Sequence, residues 1–431
     1  MSAVGFAGST LVFLASFALT FLVLAYRSRF LPSVRNGVDR VQRRVTGQHD
    51  WKWLQLWHIL LPLAALTVAN IVWNASTAHC SDDSFAIFAS GQAALHGLNP
   101  FSVAFCGHPY ATAIPYGLAE VTLDALGALA GSFVGVWVVW QLFALAVVPL
   151  VWKVAGDDRR YLTVLAAVSV LYLPNITTNL GVENTVVAVA VLCMLYALLA
   201  APRRGPLFQG LAAFLSTARF PAVFPLLGSS ASQGRHRWAK VALVIVVFLG
   251  AAALSWALWG WDAIQVVYLG QFARTNSESL NLFALLIHEG WVQPSHSLAA
   301  LQGGGLLVLV LFVQWRGYSP LAACAVPLVG VMLFSQYLNF HFVAWLIPLV
   351  LLGTSVNWWL LAFASVAAVN ESVLYWYLAL SQGVYWPYEL CGVLLFAILL
   401  GLLITIVRAE EARLRSTPAA RSGVPPAPGG S

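Results

Sequence analysis

From residue 7 to residue 407 the chain is a succession of continuous apolar runs, most of them about 20 residues long, with short charged segments between them. That is the length an α-helix needs to cross a bilayer core of roughly 30 Å. The runs are unbroken, not alternating, which excludes a β-barrel of the outer-membrane type. With 60% hydrophobic and 9% charged residues, the chain could not cover a core with polar surface in water. The sequence therefore predicts an all-α, polytopic integral membrane protein.

Apolar windows at 7–26, 54–74, 133–152, 161–174, 184–200, 240–258, 299–315, 319–335, 340–354, 356–372 and 389–407 predict about eleven spans. The first is too long for a cleavable signal and lacks a basic region before it, so it reads as a retained span. Arg27, Arg29, Arg35, Arg40, Arg43, Arg44 and Lys52 come after it and mark that loop as cytoplasmic by the positive-inside rule. The net charge of +6 is thus a topology signal, and nucleic acid is not an expected partner. Alternation then carries Asp82, Asp83, Glu120, Asp124, Glu183, Asp262, Glu278, Glu289, Glu371 and Glu389 to the outer face.

Residues 207–228 break the alternation, because basic residues flank them on both sides. With Arg219, Pro221 and Pro225 at the middle, this segment reads as a broken helix pair that rises partway and turns back. Residues 75–132 contain no clean span, and their Gly, Pro and amphipathic pieces predict an outer loop with short helices lying at the interface. The chain divides into an extra first span and basic loop (1–53), a transmembrane core (54–407) holding the outer loop 75–132, and a disordered cytoplasmic tail (408–431) rich in Pro, Gly, Ala and Ser.

The candidate residues lie mostly on the outer side. Asp82 and Asp83 stand side by side at the start of that loop, where a carboxylate could take a proton from a bound hydroxyl. The alternative is a pair of solvated acids or a helix N-cap ahead of F-A-I-F. Being adjacent, the two point in different directions, which fits one base and a helper better than a metal clamp. Arg219 and Arg274 break the charge asymmetry. An arginine in apolar sequence costs roughly 2.5–3.5 kcal/mol on insertion scales and matches a phosphate in geometry and charge. For Arg219 the competing explanation is an ion pair with one of the outer acids; for Arg274 it is plain solvation. His341, in S-Q-Y-L-N-F-H-F, shares the outer face, and Glu183 and Asn184 begin a helix there, as caps or as a polar contact to a ligand. None of the five cysteines forms a C-x-x-C pair, so neither zinc nor an iron–sulfur cluster is expected. Cys80 and Cys106 bracket the paired acids on the oxidising side, where a disulfide would close the loop; a free buried thiol is the alternative.

The stretch D-D-S-F-A-I-F-A-S-G-Q-A-A-L-H-G-L-N-P-F, succeeded by A-I-P-Y, resembles the first outer loop of the GT-C glycosyltransferases that use polyprenyl-phosphate-mannose. The later segments G-V-E-N, A-P-R-R-G, G-L-A-A-F-L-S-T-A-R-F-P and F-S-Q-Y-L-N-F-H-F are similar to further family segments, and the likeness covers roughly residues 54–355. Ile87 or Phe88 stands where the family has Tyr, Glu183 where it has Gln, and Arg219 where it has Lys.

The resemblance implies a GT-C-like bundle and an inverting transferase. Its donor would be a sugar, mannose above all, on a polyprenyl phosphate entering from the outer leaflet, and its acceptor a glycolipid or glycan. Asp83 would be the base, since its spacing to Gly97 and Asn99 matches the family's Asp. Arg219, Arg274 and His341 would hold the leaving phosphate without a metal or other cofactor. The location implied is a bacterial inner membrane with the site on its outer face. Two other classes stay open: a transporter or flippase of a polyprenyl-linked or anionic lipid, and a scaffold with no site.

Overall fold

The computed structural model describes residues 55–77, 83–102, 116–155, 185–199, 205–230, 237–270, 282–293, 295–335 and 373–416, with short pieces at 104–105 and 108–109 and scattered positions between 342 and 371. Among these the protein is helical, apart from a two-residue antiparallel ribbon pairing Ala104–Phe105 with His108–Pro109. The elements are α1 (Leu56–Thr77), α2 (Asp83–Leu95), α3 (Leu118–Ala128) and α4 (Phe133–Ala155). They continue with α5 (Thr185–Leu199), α6 (Gly205–Leu215), α7 (Val223–Ser230) and α8 (Arg237–Trp259). The last are α9 (Trp261–Ile264), α10 (Leu282–His288), α11 (His296–Arg316), α12 (Pro320–Phe334) and α13 (Trp386–Ser416).

Three of them, α4, α8 and α13, are long and apolar enough to cross a membrane. α1, α5, α11 and α12 also coincide with expected spans. The spans expected at 7–26 and 161–174 lie outside the described residues, as do most of 340–354 and 356–372.

Two helices form the centre. Every residue of α5 from Thr185 to Leu195 is buried, and so is nearly all of α12. A helix apolar all round must be packed all round or sit in lipid, and here α4, α6, α7, α10, α11 and α13 pack against the two. The outer faces stay greasy: on α8, Trp238, Val246, Leu249, Trp256 and Leu258 are exposed. In water such a contiguous patch would be a liability; against acyl chains it is the surface a span needs.

The broken segment turns back. Gly205, at the start of α6, packs so closely on α5 that a Cβ there would lie 3.3 Å from the Ala197 carbonyl. Ser230, at the end of α7, sits with its hydroxyl 3.8 Å from Met194 sulfur, one turn away on the same helix. Gln314, near the end of α11, donates to the Leu227 carbonyl at 3.0 Å. The chain has therefore gone up through α6, reversed at Ser216–Arg219 and come down through α7. Phe220, just past the reversal, packs 5.4 Å from Phe248, midway along α8.

The segment 75–132, expected as an outer loop with interfacial helices, departs from that form. Instead of lying across the end of the bundle, α3 runs antiparallel to α4 along its first half. Trp140, two turns into α4, donates its indole N–H to Asp124 at 2.9 Å. Glycine is what permits this: a Cβ on Gly127 would lie 2.4 Å from Val136 Cα, and one on Gly91 of α2 would lie 2.5 Å from the Asp124 carbonyl. Gly131, at φ +72°, turns the chain between α3 and α4. Interfacial amphipathicity and small-residue packing between helices look alike in a short apolar sequence.

The tail is a second correction. Helix α13 continues through residues 408–416, and of the expected tail only 417–431 lies outside the described residues. Ala409–Arg415 is made mostly of strong helix formers, and its carboxylates have partners on the α11–α12 turn. Glu410 accepts from the Ser319 hydroxyl and backbone N–H at 2.8 and 3.1 Å. Glu411 pairs with Arg316 and accepts from the Tyr318 hydroxyl at 3.0 Å.

The close packing is testable with two glycines. Gly127→Val must push two backbones apart, a strain of about 1–3 kcal/mol, so its detergent-solubilised melting temperature should fall by several degrees. Gly210→Ala on α6 meets nothing within 4 Å and should be neutral or slightly stabilising. Equal behaviour of the two would refute the packing.

Candidate functional site

The reversal between α6 and α7 is built from residues that satisfy their own backbone. The Ser216 and Thr217 hydroxyls donate to the carbonyls of Ala213 and Phe214, each at 2.7 Å, and end α6. Arg219 is extended, and Pro221 sits in the first turn of the 3-10 helix Phe220–Ala222 that leads into α7, where its missing N–H leaves nothing unbonded. The reversal exposes Thr217, Ala218 and Arg219 to one neighbour, the start of α3.

That neighbour fits it closely. Gly117 donates its N–H to the Ala218 carbonyl at 2.9 Å, and Ala119 donates to the Thr217 hydroxyl at 3.2 Å. No side chain fits at position 117, because a Cβ would stand 1.6 Å from the Thr217 carbonyl. One turn on, Glu120 is fully buried and receives Arg219: Nη2 donates to Oε1 at 3.1 Å, and Nε lies 3.1 Å from Oε2. The guanidinium carbon stands 3.4 Å over the Tyr116 ring, adding a cation–π contact to the pair. Asp124 comes next on the same face of α3 at i+4 and is also fully buried. Two half-length elements entering from opposite ends thus meet midway along the long helices, on a buried ion pair.

Of the two readings open for Arg219, the ion pair with one of the acids expected on the outer side is the one found. Sequence reasoning does not single out Glu120, Asp124, Tyr116 and Thr217 as site residues, although E-V-T-L-D inside an apolar helix puts both acids on one face. Asp83 lies elsewhere. Its backbone opens α2, two residues before Phe85, whose ring packs 4.5 Å from that of Phe133 at the start of α4. That is the far end of the α2–α3 pair from Glu120. The 11 residues of α3 span about 16 Å at 1.5 Å per residue, so the backbone that carries Asp83 lies about a helix length from Glu120 and Arg219. Asp82, Glu183, Asn184, Arg274, His341, Cys80 and Cys106 lie outside the described residues, and with them the expected disulfide.

No family model and no curated protein matches the chain.

Removing one member of a buried pair leaves a charge without a counterion and typically costs about 3–5 kcal/mol, whereas replacing both with apolar groups of similar size is often neutral. Glu120→Gln should therefore lower folded yield and melting temperature sharply. Glu120→Leu combined with Arg219→Met should recover most of the loss. A Glu120→Gln protein as stable as the parent would show that the pair does not hold the junction.

Proposed function

We propose that the protein is a membrane glycosyltransferase that moves a sugar, mannose above all, from a polyprenyl-phosphate donor to a lipid or glycan acceptor at the outer face of a bacterial inner membrane. The observation that carries this reading is the α2–α3 hairpin. Gly91 joins its two helices at the middle, Gly127 seats α3 against α4 near the end where α2 begins, Glu120 holds the deep end, and α2 opens at the other end with Asp83. A base on an element so fixed keeps its place while the greasy donor slides in from the side. The resemblance of residues 54–355 to the GT-C transferases agrees with this, and such an enzyme would have a core of about eleven spans around the reversing α6–α7 pair.

In the proposed reaction Asp83 accepts the proton of the acceptor hydroxyl, whose oxygen attacks the anomeric carbon. The bond from that carbon to the phosphate oxygen breaks on the opposite face, and configuration inverts. The leaving polyprenyl phosphate needs cations nearby. Arg219 is committed to Glu120 a helix length away, so that role falls to Arg274 and His341, with Glu183 and Asn184 as polar contacts. Asp82, beside the base, is the helper.

A second reading has its own observation. Helices that end midway through a bundle are where many transporters hold their substrate, and ionisable residues at that depth commonly mark a substrate path; here the junction carries Arg219 and Glu120. A transporter or flippase of a polyprenyl-linked lipid would work there, and would not need Asp83.

The experiment is a transfer assay on purified protein with polyprenyl-phosphate sugars and envelope lipids. Loss of a positioned base typically costs about 10² to 10⁴ in rate. Asp83→Asn should lose activity on that scale while still binding donor, and Asp82→Asn should be milder. If both variants keep full turnover, the base is elsewhere. Donor movement across a proteoliposome without a new glycosidic bond would establish the transporter instead.

A further inference from the structure

At the end of the bundle that carries the start of α13, two segments a hundred residues apart in sequence bring three metal-ligating side chains together. His288 closes α10 and Glu289 is the next residue. The chain turns at Gly290, with φ +73°, after the Glu289 N–H has bonded the Leu285 carbonyl at 2.9 Å. Glu389 lies in the first turn of α13, and its N–H bonds the Tyr385 carbonyl at 3.1 Å. The ligand atoms of the three side chains all lie within 4.8 Å of one another, and His288 Nε2 is 3.6 Å from a Glu389 oxygen.

We propose that His288, Glu289 and Glu389 form a binding site for a divalent cation of the zinc class, with water completing its coordination. This is more than a patch of surface acids, because the imidazole is part of the set and is held in place. Its ring packs against Tyr385 at 5.3 Å and against the fully buried Tyr388 at 6.2 Å. Tyr388 belongs to a small apolar cluster with Leu374 and Cys391, which Leu285 of α10 joins, so the segments supplying the ligands are already docked.

The dimensions fit. Ligands on a tetrahedral zinc with bonds of about 2.1 Å stand about 3.4 Å apart, so half-exposed side chains need only close by roughly an ångström. A nitrogen and two carboxylate oxygens are a donor set that zinc accepts and that calcium and magnesium, which take oxygen, do not prefer. Two carboxylates this close repel each other, and a bound cation would turn the repulsion into a tie between α10 and α13. The site does not depend on the transferase reading, since neither Asp83 nor the donor-binding residues take part.

The test is equilibrium binding of Zn²⁺, Mn²⁺, Ca²⁺ and Mg²⁺ alone to the purified full chain after removal of metal by chelation. One Zn²⁺ per chain should bind saturably, Mn²⁺ more weakly, and Ca²⁺ and Mg²⁺ weakest. His288→Ala and Glu389→Gln should each reduce Zn²⁺ affinity by at least about tenfold, the scale on which even ligand-supporting residues act. Zn²⁺ should also raise the melting temperature of the parent and leave that of His288→Ala unchanged. Lack of saturable Zn²⁺ binding, or binding that persists in both variants, would overturn the proposal. So would Ca²⁺ binding as tightly as Zn²⁺ with His288→Ala unaffected, which would mean ordinary exposed carboxylates.

Discussion

The Arg219–Glu120 pair is the interaction on which the described architecture turns. An arginine in an apolar bundle is tolerable only with a counterion, and here the counterion comes from a segment about 100 residues earlier in the chain. Each partner sits on an element too short to cross by itself. The reversal between α6 and α7 reaches midway along α8 from one end, and α3 reaches beyond Trp140 along α4 from the other. A backbone that ends inside an apolar interior needs partners for its terminal N–H and carbonyl groups. Gly117, Ala119, Thr217 and Ala218 supply them to one another. The ion pair and the backbone contacts are thus two parts of one solution, since neither end could stop at that depth without the other.

What could be read from the sequence comes from the same physics. Long apolar helices are legible because a bilayer imposes length and composition together: α1, α4, α5, α8, α11, α12 and α13 lie where apolar windows put them, and α4, α8 and α13 are long enough to cross. The reversal was legible because basic residues on both sides of an apolar segment cannot flank a single crossing. The course of α3 was not, because Gly127 and Gly135 meeting backbone leave no periodic trace. The helical extension past Arg408 was obscured by the Pro-rich end beyond it, although Glu410 and Glu411 are what tie it to the α11–α12 turn. The cluster of His288, Glu289 and Glu389 has no motif spacing at all, since its ligands come from distant segments.

The separation of Asp83 from Arg219 bears on any chemistry assigned to the chain. In an in-line displacement the base, the acceptor oxygen, the anomeric carbon and the leaving oxygen span only a few bond lengths, so the cation that receives the phosphate must be near the base. If Asp83 is the base of a transferase, an arginine about a helix length from its backbone, buried and paired with Glu120, cannot be that cation while the junction is intact. Its part in a transferase is then indirect: it holds the deep end of the α2–α3 hairpin and so fixes the angle at which α2 presents Asp83. In a transporter the same pair would instead lie on the substrate's path and would have to open. The two readings place opposite demands on one ion pair. A transferase retains turnover when Glu120 and Arg219 are both replaced by apolar residues that keep the hairpin seated, and a transporter that binds its anion through Arg219 does not.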